Sequence, residues 1–83
     1  MANAVLRITG RHQGTRPDVP ELVTATIFEP EETGDGDFAC RVSIPALYEE
    51  DRFIFGVDEN HAQEVSAFFV RNLFEGLRIT VAE

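Results

Sequence analysis

Eighty-three residues, 43% of them hydrophobic and seven of them phenylalanine, suffice for one small domain with a modest core, and they argue against disorder. The formal net charge is -8, from fifteen acidic residues against seven basic ones, all arginine. That balance lacks the cationic footprint a nucleic-acid surface needs, and no apolar run reaches the ~18 residues of a membrane span.

In chain order, residues 4–9 alternate, with Ala4, Leu6 and Ile8 on one face and Val5, Arg7 and Thr9 on the other, which predicts a half-buried strand. Residues 10–21 contain Gly10, Gly14, Pro17 and Pro20 among polar side chains and read as a long loop. That loop is locally basic. Arg7, Arg11, His12 and Arg16 are candidate ligands for a small anion, set against the plain reading of solvated arginines.

Residues 21–29 are β-branched and predict a second strand. The acidic run 31–37, with Gly34 and Gly36 free to take positive φ, predicts a turn region after Pro30. Residues 38–44 alternate cleanly, with Phe38, Cys40, Val42 and Ile44 inward, so the two strands should pair as an antiparallel hairpin. A connection at 45–51 leads to a short strand at 52–57. A last strand is expected at 77–81.

Residues 58–76 have the strongest pattern. Asp58 is a good N-cap, Glu59 complements the helix dipole, and Val57 with Ala62 has hydrophobic-staple spacing. Gly76 suits a left-handed C-cap. The helical wheel puts Ala62, Val65, Phe69 and Leu73 on one stripe, flanked by Phe68 and Val70. Phe68 and Phe74 then lie too far apart around the axis for one sheet to cover both. Both are interface candidates, and Phe74 is expected to be the more exposed. The architecture that follows is a single α+β domain over residues 1–83. It runs β-β-β-β-α-β, an antiparallel sheet of four to five strands with one amphipathic helix packed on one face.

The inventory for catalysis is thin. Cys40 falls at an inward strand position, where a thiol is a small hydrophobe rather than a thiolate. His61 is placed as part of a helix start, with no third residue to orient a Cys–His pair. The Asp35-Gly36-Asp37 tract lacks the spacing of a calcium loop, and the two histidines and one cysteine are too scattered for zinc. No phosphate-binding glycine loop is present. Neither a metal nor a cofactor is expected.

At Phe38-x-Cys40 and Gly56-Val57-Asp58-x-x-His61-Ala62 the sequence resembles a family of small bacterial domains of unknown function. In that family an aromatic-x-Cys strand precedes Gly-x-Asp-x-x-Gln-Ala at a helix start. This chain departs from it at His61, where the family has glutamine. The resemblance implies strands followed by a helix, and it implies no activity.

The lone cysteine excludes an internal disulfide framework, and the first residues read as a strand rather than an export leader, so a cytoplasmic location is expected. The leading functional expectation is a non-enzymatic domain for protein–protein interaction, with a partner or with a second copy. The alternatives are a small-anion or small-ligand binder, and an acidic inhibitor of the immunity type that masks a basic partner.

Overall fold

The computed structural model describes residues 3–14 and 17–82. It contains β1 (Ala4–His12), β2 (Leu22–Phe28), β3 (Glu31–Glu32), β4 (Phe38–Ser43), β5 (Arg52–Gly56), α1 (Glu59–Gly76) and β6 (Ile79–Ala82). All pair antiparallel in one six-stranded sheet. β5 lies along one side of β4, while β2 and β3 lie end to end along the other. β1 and then β6 follow beyond β2. Pro30 has no backbone N–H to donate, so the break between β2 and β3 falls where the ladder would lose a bond anyway. The predicted hairpin across the acidic loop is present. Its expected turn begins two residues late, because Glu31 and Glu32 pair with Ala39 and Phe38.

β5 and β6 are the two edges of this sheet, and α1 crosses one face to connect them. It packs on β5, β4, β2 and β6. The core lies between. Ile8, Val23, Ala25, Ile27, Cys40, Val42 and Ile79 rise from the sheet, and Ala62, Val70 and Phe74 descend from the helix.

Three expectations need correction. β1 runs to His12, three residues beyond the predicted strand, and a bulge at Val5 interrupts its alternation. Pairing with both β2 and β6 carries it through Gly10. The helix is also turned relative to the predicted stripe. Its fully buried row is Ala62, Ser66, Val70 and Phe74, so Phe74 has no exposed surface and is not a surface residue.

The cause is a socket in the sheet. Gly10 has no side chain, and a Cβ there would overlap Ile79 Cγ2 and approach Phe74 Cδ2 to 3.1 Å. Ile79 fills the space that a larger residue in β1 would take, and the ring of Phe74 packs beside it. Ser66 can sit in the buried row because its hydroxyl donates to Ala62 O at 2.7 Å, leaving no unpaired polar atom.

The third correction concerns the helix ends. Asp58 caps as expected, its Oδ1 accepting from His61 N at 2.7 Å. Val57, however, is 69% exposed and makes no staple with buried Ala62. Gly76 remains helical. Leu77, which packs against the core, draws the chain one step further, and its N–H donates to the Leu73 and Phe74 carbonyls. The left-handed residue is therefore Arg78, at φ 60.

Candidate interaction surface

The register of β5 decides what the sheet shows on its uncovered side. Its sequence, Arg52-Phe53-Ile54-Phe55-Gly56, has three large apolar residues in succession, so alternation alone does not choose a face. Gly56 chooses it. A Cβ at Gly56 would collide with the backbone of Ala62 and His61, so this residue must point toward the first turn of α1. Ile54 then faces the helix too, half-buried against the core. Phe53 and Phe55 are left on the open face, 57% and 59% exposed.

Cross-strand pairing builds a groove around them. Phe55 lies opposite Ala39, which lies opposite Glu31, so one row crosses three strands from ring to methyl to carboxylate. Phe53 lies opposite Arg41. The guanidinium of Arg41 sits 4.1 Å from the Phe28 ring centroid and 3.3 Å from Asp51 Oδ2. The resulting depression measures about 490 Å³. Phe53 and Phe55 form one wall, the segment from Glu29 to Thr33 the other, with the Glu31 side chain on the same face as Phe55, and Ala39 and Arg41 the floor. Among the described residues, no cation stands within ion-pair distance of Glu29, Glu31 or Glu32. The groove is thus, among the described residues, apolar on one side and negative without a compensating cation on the other.

Elsewhere the open face is mixed, with Leu22, 56% exposed, opposite Arg11. Thr9 and Thr24 are paired across β1 and β2 and share a hydrogen bond of 3.1 Å between their hydroxyls. Arg11 pairs with Glu21 at 3.0 Å.

The residues singled out from the sequence are scattered. Phe68 is 66% exposed, on the side of α1 turned away from the sheet and so on the far side of the molecule from Phe55. Phe74 is in the core. Among the anion candidates, Arg7 and Arg11 are exposed on the open face, and Arg11 is already engaged by Glu21. His12 is buried on the opposite, helix-covered face, and Arg16 lies outside the described residues. The described candidates therefore do not converge on one point.

Cys40 is buried, and desolvation pushes its thiol above the ordinary value, with a smaller opposing effect from a hydrogen bond to Ser66. Such a thiol is inert as a nucleophile at neutral pH. His61 accepts from Val57 N at Nδ1 (3.0 Å), while its own backbone N–H meets Asp58, so both groups serve the helix start. Among the described residues no three His, Cys, Asp or Glu side chains are grouped to hold a metal ion, and no helix is long and apolar enough to cross a membrane.

Sequence reasoning missed Phe53 and Phe55. The signal was present in Gly56, since a glycine ending a strand just before a helix cap marks close approach and fixes the phase of the strand. No family model, curated protein or solved structure matches the chain, so the resemblance through Phe38, Cys40, Gly56 and Asp58 rests on those residues alone.

Proposed function

We propose that this chain is a non-enzymatic protein-binding domain that meets another polypeptide through the β4–β5 half of its open sheet face. The observation that carries this reading is the exposure of Phe53 and Phe55 side by side, on a face that no described element covers. Large rings lose hydration cost when a partner covers them, and a rim of charge keeps the free protein soluble. The edge strand β5 adjoins the same patch, and its outer side has no described neighbour.

A second copy is the weaker occupant. Each chain carries -8, and a symmetric contact through this face would bring glutamate walls together. The expectation of an acidic inhibitor is compatible with the same surface, because it requires only that the partner be basic. The anion-binding alternative loses support from the engagement of Arg11 and the burial of His12.

The test is photo-crosslinking in the producing cell, with a benzophenone side chain in place of Phe55 or, separately, of Phe68. A discrete heterologous adduct from position 55, absent from position 68, is the expected result. Adducts to a second copy alone, or equal adducts from both positions, would defeat the reading.

A further inference from the structure

The acidic wall of the groove carries the reading one step further, to the chemistry of the partner. We infer that the groove between Phe55 and Glu31 is a slot for an arginine or lysine side chain of the bound polypeptide. This rests on the open face being the docking surface.

Three observations converge on it. The first is width. Glu31 and Phe55 are two strand spacings apart, about 9.5 Å at ~4.8 Å per strand, with only a methyl between them. That gap holds one extended aliphatic stem, with the ring on one flank and the carboxylate on the other. The second is charge. Arg41, the one cation among the described lining residues, is already matched by Asp51, so Glu31, on the same face as Phe55, and Glu29 beside it leave the slot negative.

The third is that the protein already performs the same recognition within itself. Arg41 stacks on Phe28 while pairing with Asp51, and Arg52 stacks 4.4 Å from the centroid of Tyr48. A partner cation entering the slot repeats that arrangement, its stem or guanidinium plane against Phe55 and its head at Glu31. An acidic or purely aliphatic segment would leave the carboxylates unpaired beside apolar surface, which is what selects against it.

Labelled synthetic peptides of about eight residues, alternating arginine and serine, are the probe. Matched peptides carry citrulline or norleucine at the arginine positions, and binding is followed by fluorescence anisotropy at two salt concentrations. The arginine peptide should bind about tenfold more tightly than the citrulline peptide and should weaken as salt rises. Glu29→Gln with Glu31→Gln should remove most of that preference, and Phe55→Thr should weaken binding at either salt concentration. Glu49→Gln with Glu50→Gln, which alters charge away from the groove, should change little. Thermal melts confirm that each variant is folded.

Equal binding of arginine and citrulline peptides would overturn the slot, as would equal losses from the two glutamine pairs, which mean diffuse attraction. Norleucine binding as tight as arginine binding, and lost in Phe55→Thr, would keep the docking face while overturning the cation slot. Loss of neither in Phe55→Thr would remove both. Sedimentation as a dimer that Phe55→Thr dissociates would assign the groove to a second copy instead.

Discussion

The two faces of one sheet have been put to different uses by the same alternating pattern. On the covered face Val23, Ala25, Ile27, Cys40 and Val42 meet the helix, and glycines allow the helix to come close. On the open face the same strands present threonines, arginines and Leu22 over β1 and β2, then Ala39 and Arg41 on β4 beside Phe53 and Phe55 on β5. Stability therefore concentrates on one side and apolar surface without an internal partner on the other. An apolar residue that packs is explained by the fold. One that faces water beside an edge strand is left for something outside the chain to explain.

The most severe way to break this contrast is to exchange the fates of two of the helix phenylalanines, Phe74 and Phe68. Phe74→Ala empties the socket over Gly10 and should cost about 3–5 kcal/mol by urea unfolding. For a domain this small that is a large share of the total stability. Phe68→Ala should cost under about 1 kcal/mol, because the ring already lies mostly in water. If the two losses proved similar, the orientation of α1 would be wrong.

Next in size is Gly56→Ala. The added methyl meets backbone atoms of Ala62 and His61, which cannot swing aside as a side-chain tip could. A loss of about 3 kcal/mol is expected, with the strand β5 and the helix start displaced together. A neutral result in urea unfolding would remove the argument that Gly56 sets which rings face outward.

A smaller effect of opposite sign is expected at Arg78. Its φ of 60 is a conformation that glycine adopts freely and that costs a residue with a Cβ. Arg78→Gly should stabilise by about 0.5–1 kcal/mol in the same assay, and a loss of stability would show that its side chain contributes to the α1–β6 junction.

The smallest effect is a pH dependence on the covered face. The folded Cys40 thiol has its pKa raised above the reference value of 9.0, so the unfolded chain releases this proton first. The sign follows. Nothing is lost below about pH 8, and stability falls as the pH rises past 9.0, where only the unfolded state is stabilised by ionisation. Cys40→Ala should cost stability at neutral pH yet lessen the decline between about pH 8 and 10, followed by chemical denaturation across that range. An unchanged alkaline slope would place the thiol in a wetter site than the fold gives it.

Much of this arrangement was legible in the sequence. The alternation of residues 38–44, the Asp58 cap and the last β-branched strand each fix an element through interactions within a few residues, and all three elements form. What was not legible depended on distant pairs. The helical wheel could not place Phe74 inside, because its ring packs where Gly10 of the first strand and Ile79 of the last come together. It also could not foresee a serine at the centre of the buried row, since Ser66 satisfies its own hydroxyl one turn back. The described basic residues are set apart for the same reason. Strand pairing carries β1 through His12 and turns alternate residues to opposite faces, separating His12 from Arg7 and Arg11.

The proposed division between a stabilising face and a binding face is tested most directly in one variant, Phe55→Thr, measured for both thermal stability and arginine-peptide affinity. Threonine keeps the strand's β-branched preference while removing the ring. The protein should stay folded, losing about 1 kcal/mol, or roughly 4–8 °C in melting temperature, while peptide affinity falls about tenfold or more. Collapse of the fold with Phe55→Thr, or full stability with undiminished affinity, would contradict it.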